Sequence, residues 1–215
     1  MNYPNSWTFK DKKVVSEFDT HVREQLPWYD LVADNVLTSV ARHYIPQNGL
    51  VYDIGCATGH VSQKLAPILQ ERDANIIGID ESGAMIEGYN GFGDAVCGDA
   101  VAYNYLKFDF AVSFLSMIFL TPKDRTSLLN KLLANLNDGG SIFLVERFLP
   151  EGGYNGLISA RMTLQAKLLA GCEPNDIIAK ELSLRGIQRP MNRSEINGYE
   201  IFRFGDFSGY ILNKS

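Results

Sequence analysis

VYDIGCATGH, residues 51–60, is the stretch on which the fold turns. An apolar run ends at Ile54 and enters a turn that begins with Gly55, ends with Gly59 and has the small Ala57 between them. Glycine lets a backbone turn tightly and approach a ligand where a side chain would collide. The turn opens a helix, whose first N–H groups lack partners within the helix and can face a ligand. Its spacing is G-x-x-x-G, not the G-x-G-x-x-G of dinucleotide binders, and the chain contains no G-x-x-x-x-G-K-[ST] phosphate loop. Many strand–helix turns contain two glycines, so the reading depends on what surrounds this one.

Downstream the strand–helix alternation repeats. Leu50–Ile54 precedes a helical pattern over His60–Gln70, then a strand over Asn75–Ile79 and a helical stretch over Ser82–Gly88. Ala95–Cys97 is a brief strand and Phe108–Phe114 a longer one. Lys123–Leu136 is a helix with Leu128, Leu129, Leu132, Leu133 and Leu136 on one side, Asn137–Gly140 a turn, and Ser141–Val145 a strand. This predicts an α/β fold of Rossmann-like, doubly wound type: a mostly parallel sheet between two helical layers. The ending differs. Leu157–Ala170 and Asp176–Leu184 read as helices, and Tyr199–Phe204 with Gly209–Leu212 as an antiparallel hairpin turning at Gly205–Ser208.

Upstream, Val14, Phe18, Val22, Leu31, Val32, Val36, Leu37 and Val40 follow a helical period, split by Pro27 and closed by Pro46 and Gly49. The expected organisation is a single domain: a helical arm (1–49), a binding core (50–149), a helical lid (150–190) and a closing hairpin (198–213).

A length of 215 residues fits one domain, and a 46% hydrophobic share supplies a sizeable core. The longest apolar stretch, Phe108 to Leu120, is broken by Asp109 and too short for a bilayer, so no membrane association is expected. The start, MNYPNSWTFKDKK, has no apolar export signal, and Cys56, Cys97 and Cys172 form no C-x-x-C; both point to a cytoplasmic protein with reduced thiols. The net charge of −5 argues against strong nucleic-acid binding. That charge is uneven: residues 1–150 carry 12 basic and 18 acidic side chains, residues 151–215 carry 8 and 7. Arg185, Arg189, Arg193 and Arg203 lie close together there, as a solvated face or as a surface for an anionic substrate.

Three acids follow the strands. Asp80 ends the second, where a carboxylate can accept hydrogen bonds from both hydroxyls of a ribose. Asp99 ends the third, within reach of an adenine amino group, and Asp53 stands before the glycine turn, suited to a cationic amino group. Each alone is an ordinary loop acid. Together they face the crevice in which open α/β sheets bind ligands, which points to a nucleoside.

These motifs resemble class I S-adenosylmethionine-dependent methyltransferases. VYDIGCATGH, IIGIDESGAMI, VCGDA and LLANLNDGGSIFLVE carry the resemblance over roughly residues 45–150. It implies S-adenosylmethionine as cofactor and S-adenosylhomocysteine as product. It places Gly55, Ala57 and Gly59 under the methionine moiety, Asp80 at the ribose and Asp99 with Ala100 at the adenine, with Asp53, Cys56, Glu81 and Ser113 in the same cofactor site. FDTHVREQLPWYDLV and FAVSFLSMIFLTPKDRTSLLNKLLANL extend the likeness to the carboxy-S-adenosylmethionine synthase family, which acts in tRNA wobble uridine modification. In that family the tyrosine matching Tyr29 contacts the cofactor. An arginine late in the chain holds the new carboxylate. Aligned by spacing, Glu181 takes the arginine's place, with Arg185 one turn on; a carboxylate would there meet a carboxylate, which repels in a poorly solvated pocket.

Methyl transfer from a sulfonium needs positioning, exclusion of water and sometimes removal of a proton, so no obligatory catalytic signature is expected. Ser113-Phe114-Leu115-Ser116 lacks the Pro-Pro of enzymes that methylate base amines, no Pro-Cys dipeptide occurs, and no G-x-S-x-G elbow is present. Glu146, ending a strand, reads as a base or substrate-orienting acid, or equally as a partner for Arg147. Tyr29 joins it as a catalytic candidate, while Trp28 reads as packing. Arg161 and Arg185 are candidates for an anionic substrate. His21, His43 and His60 share no ligand spacing, so no metal is expected, and His60 reads as a helix-start residue. The expected function is methylation of a small-molecule acceptor. The alternatives are carboxy-S-adenosylmethionine synthesis from S-adenosylmethionine and prephenate, or a non-catalytic cofactor-binding scaffold. A homodimer is compatible with the resemblance, though nothing in the apolar pattern demands one.

Overall fold

A computed structural model describes Val15, Thr20, residues 22–150 and residues 152–214. Val14, Phe18 and His21 lie outside the described residues. Helical residues 22–25 lead past Pro27 into α1 (Tyr29–Leu31), a π-helical segment (Val32–Leu37) and α2 (Thr38–Tyr44). Then follow β1 (Leu50–Ile54), α3 (His60–Glu71), β2 (Asn75–Asp80), α4 (Gly83–Glu87), β3 (Asp94–Cys97) and β4 (Phe108–Phe114). A 3₁₀ turn (Met117–Phe119) leads to α5 (Pro122–Asn135) and β5 (Leu136–Arg147). The chain ends with α6 (Gly153–Leu169), α7 (Pro174–Ser183), a 3₁₀ turn (Arg193–Glu195), β6 (Tyr199–Phe204) and β7 (Phe207–Asn213).

The described strands form a seven-stranded sheet in the order β3-β2-β1-β4-β5-β7-β6. β1 to β5 pair in parallel; β7 is antiparallel to β5 and to β6. Ile54 lies opposite Ile79 and Ser113, and Asp80 opposite Cys97, so the carboxyl ends of β1 to β4 are level along one edge. The strand order reverses between β1 and β4, where such sheets open a crevice.

Alternation along β1 explains the two cores. Val51 joins one with Phe110, Val112 and Phe143 beneath α1 to α3, whereas Tyr52 and Ile54 join the other with Phe108 and the α5 leucines. Trp28 fastens the arm to the closing strands: it is buried, with its ring 4.9 Å from Phe207 and 5.4 Å from Phe202. Asn137–Gly140, expected as a turn, belongs to β5. Leu136 already pairs with Phe108 across an irregularity in register, and the Asn137 side-chain amide donates to Asp109 (2.7 Å).

Candidate functional site

The glycine turn is held from below. The Gly55 and Cys56 amides both donate to the Ile79 carbonyl, at 2.7 and 3.2 Å. Gly55 (φ +73°) and Gly59 (φ +96°) adopt left-handed backbone. A Cβ at Gly55 would lie 2.3 Å from the Ser116 Cβ, and one at Gly59 2.5 Å from the Gly91 backbone. These glycines are therefore needed for the close approach of neighbouring loops. Ala57 also has positive φ (+46°) and is fixed by its N–H, which donates to Asp80 Oδ2 at 3.0 Å.

Asp80 is thus both a strand tip and a clamp. Its Oδ1 accepts from the Ser82 amide at 2.9 Å, and each oxygen keeps lone-pair capacity towards the crevice. Burial pushes the Asp80 carboxyl up, opposed by these two amide bonds. Asp53 lies behind the turn, 1% exposed, and its Oδ2 has no hydrogen-bond partner. Burial, reinforced by Asp80, pushes its carboxyl up to about 8. The same burial, with Asp53 and Asp80 nearby, pushes the Cys56 thiol up and leaves it inert.

A cavity of about 290 Å³ opens over this edge. Gly55, Cys56, Ala57, Asp80, Glu81, Asp99, Ala100 and Tyr29 line it. Asp99 is exposed at the rim, where its Oδ1 accepts from the Val101 amide at 2.8 Å. Gly98 beside it has no atom within 4 Å of where a Cβ would stand, leaving open space at that rim. Tyr29 is buried, stacked on His60 (5.1 Å) and edge-on to Phe114 (5.0 Å). Arg23 Nη2 lies 2.8 Å from His60 Nδ1; arginine can only donate, so that nitrogen's lone pair is occupied and His60 is not a free base. A strand-tip carboxylate with spare acceptors and open space at the third tip fit a hydroxyl-bearing nucleoside.

Several sequence candidates lie elsewhere. Asp53, Gly59 and Ser113 do not line the cavity. Ser113 is wholly buried, 2.8 Å from Ser116 Oγ and donating to Glu146 (3.3 Å). Ser116 is the serine at the wall. Glu146, the expected base, is 0% exposed and absent from the wall. Its carboxylate accepts from the amides of Ser116 (2.9 Å), Met117 (2.7 Å) and Ile118 (3.3 Å), so it staples the loop after β4. Burial pushes its carboxyl up to about 8 against the pull of those amides. Arg161 and Arg185 are exposed and also miss the wall. α6 buries Gly156, Thr163 and Lys167, and Arg161, two residues before Thr163, projects about 200° away.

The cationic wall residues are others: Arg147, Lys167 and Lys180. Arg147 Nη1 donates to Glu181 Oε2 (3.3 Å) and Gln188 Oε1 (3.0 Å), and Lys167 Nζ to Glu181 Oε1 (3.2 Å). Glu181 therefore meets two cations. Burial pushes its carboxyl up, but Arg147 and Lys167 outweigh this and hold it below its ordinary value. Burial, with Lys167 alongside, pushes the Lys180 ammonium down to about 7. Gln25 is a further wall residue, buried, with Oε1 unpartnered and Nε2 donating to Cys172 Sγ at 3.2 Å. The strand alternation at Glu146-Arg147 held a signal for Arg147. Lys167 had none, because α6 carries leucines all round.

Residues 51–140 match the family model of a methyltransferase domain. That span, less than half of the chain, includes the glycine turn and both acid-tipped strands. Among curated relatives it is similar to a carboxy-S-adenosyl-L-methionine synthase from Staphylococcus epidermidis, 29% identical over 197 residues, 89% of this chain and 86% of that one. The fold resembles human N-acetylserotonin methyltransferase (TM-score 0.61, 12% identity, 96% of this chain and 57% of that one). It also resembles magnesium protoporphyrin IX methyltransferase from Synechocystis PCC 6803 (TM-score 0.55, 17% identity, 99% and 90%). The chain spans 58%, 59% and 57% of the first three solved structures it matches.

Proposed function

We propose that this protein binds S-adenosylmethionine in the crevice over β1 to β4 and transfers its methyl group to a small-molecule acceptor, releasing S-adenosylhomocysteine. The observation that carries the reading is that the glycine turn, Asp80 and Asp99 line one cavity whose far wall is Arg147, Lys167 and Glu181. The bound cofactor supplies an activated sulfonium methyl group. Asp80 takes the ribose hydroxyls, Asp99 with Ala100 the adenine, and Gly55 to Ala57 underlie the methionine portion. Asp53 stands behind the turn, outside the cavity wall. Tyr29 closes the site and, with Leu26 and Phe114, excludes water. No wall residue is needed as a base when the acceptor nucleophile is already deprotonated.

The division into arm, core, lid and hairpin serves this reading, with α6 and α7 roofing the acceptor side. Apolar side chains on the outer face of α6 and α7, such as Leu169 (81% exposed) and Ile178 (58%), offer a surface for a second copy. The reading places the protein in the cytoplasm, in keeping with three free cysteines. No helix among the described residues is long and apolar enough to cross a membrane.

The relative at 29% identity favours a second reading, carboxy-S-adenosylmethionine synthesis from S-adenosylmethionine and prephenate in tRNA wobble uridine modification. Glu181, already paired with both cations, weighs against a second carboxylate at its own position. Incubation with S-adenosylmethionine and prephenate, read by mass spectrometry, separates the two. The methyltransferase reading predicts unchanged S-adenosylmethionine; a carboxylated sulfonium would overturn it.

A further inference from the structure

Between β3 and β4, residues 98–107 form neither helix nor strand, so the shape of the rim that carries Asp99 and Ala100 comes from side chains. Asp99 Oδ1 accepts from the Val101 amide at 2.8 Å. That amide shares its peptide unit with the Ala100 carbonyl, which accepts from the Tyr105 hydroxyl, also at 2.8 Å. A peptide unit is planar, so a side chain that holds one end sets the direction of the other. Tyr105 is 8% exposed, its ring edge-on to Tyr52 (5.0 Å) and to Tyr103 (5.1 Å). Burial pushes its hydroxyl above the ordinary range, which keeps the proton on it as a donor. From α5, Lys131 Nζ donates to the Val101 carbonyl and to that of Tyr103 (3.3 Å), fixing the flank of the same loop. Asp99 Oδ2 and the Ala100 amide make no hydrogen bond among the described residues. An acceptor and, on the next residue, a donor are thus left for a ligand. Adenine offers the matching edge, an amino donor beside a ring-nitrogen acceptor, and hypoxanthine reverses both.

We propose that Tyr105 is the positioning residue behind a preference for adenine: through the Ala100–Val101 peptide it ties down Asp99 Oδ1 and leaves Oδ2 for the amino group. The inference rests on the S-adenosylmethionine reading, with the adenine at Asp99 and Ala100. Tyr105 acts at one remove from the base, and its effect passes through the Asp99 carboxylate.

The test is calorimetric titration of the full chain with S-adenosylhomocysteine and with S-inosylhomocysteine, in which an oxo group replaces the amino group. Wild type should bind the adenosyl compound about tenfold or more tighter, as a paired donor and acceptor discriminate between bases. Tyr105→Phe, which keeps the ring, should lower that ratio about threefold or more, and Asp99→Asn should abolish it. Adding Tyr105→Phe to Asp99→Asn should change the ratio no further. Tyr52→Phe removes a hydroxyl that accepts from the Leu106 amide (3.3 Å) in the same loop without touching Asp99. It should lower the urea midpoint and leave the ratio within about twofold of wild type. An unchanged ratio in Tyr105→Phe, an equal fall in Tyr52→Phe, or a further change in the double variant would overturn the role of Tyr105 and leave the adenine at Asp99. A wild type without preference, or a preference that survives Asp99→Asn, would remove the adenine from Asp99 and the inference with it. Protein that ignores both compounds would overturn the S-adenosylmethionine reading itself.

Discussion

Glu146 and Asp53 are both carboxylates sealed from water, and they do different things. Glu146 is met by three backbone amides and fixes the 3₁₀ turn after β4, so its loss would leave those donors buried without an acceptor. Each unsatisfied buried group costs about 1–3 kcal/mol. Glu146→Leu should therefore lower stability by about 3 kcal/mol or more in urea unfolding, and Glu146→Gln, which keeps an acceptor, should recover most of it. A leucine variant as stable as wild type would contradict the staple.

Asp53 has an orphaned oxygen instead, and its carboxyl is pushed up to about 8 by burial and then by Asp80. In the unfolded chain it ionises near about 3.9. Between those values the folded protein holds a proton that the unfolded chain does not. The stability from this carboxyl is therefore full below about pH 4 and lost as pH rises towards 8, at up to about 1.4 kcal/mol per pH unit. Urea midpoints measured from pH 5 to 8 should fall less steeply in Asp53→Asn than in wild type. Equal slopes would mean that Asp53 is ionised in the folded protein.

At the scale of elements, the β1–α3 turn was legible in the sequence as a glycine loop, but the reason for its glycines was not. Sequence reading gave them to a ligand; the structure gives Gly59 to the Gly91 backbone and Gly55 to Ser116. Such approaches join residues distant in sequence and leave no local pattern. Gly59→Ala combines left-handed backbone with a 2.5 Å contact and should cost about 2–4 kcal/mol in thermal or urea unfolding. Gly98→Ala, in open space, should stay within about 0.5 kcal/mol of wild type. Equal effects at the two positions would show that the Gly91 contact yields. The lid helices were the least readable elements. α6 carries exposed leucines at 157, 164, 168 and 169, so the hydrophobic pattern did not reveal that Thr163 and Lys167 face inward, and Arg161 was chosen in their place.

For the whole molecule, parallel pairing in level register turns separate sequence motifs into one site. Asp53, Asp80 and Asp99 are apart in the chain, yet β1, β2 and β3 end along the same edge, beside the reversal between β1 and β4. The alternation of short apolar strands with helices was enough to predict that edge. It could not predict the opposite wall, which depends on how β5, α6 and α7 meet across the closing hairpin. The glycine-turn side of the cavity was therefore readable from motifs, and the side built by β5, α6 and α7 had to come from tertiary packing.

Calorimetric titration with S-adenosylmethionine, wild type beside Asp80→Ala, tests the central claim most directly. Wild-type protein should bind one equivalent, and removal of the Asp80 carboxylate should weaken binding by about 1–3 kcal/mol, the range for truncating a partner of buried polar groups. No uptake by wild type, or an unchanged dissociation constant in the variant, would contradict the account.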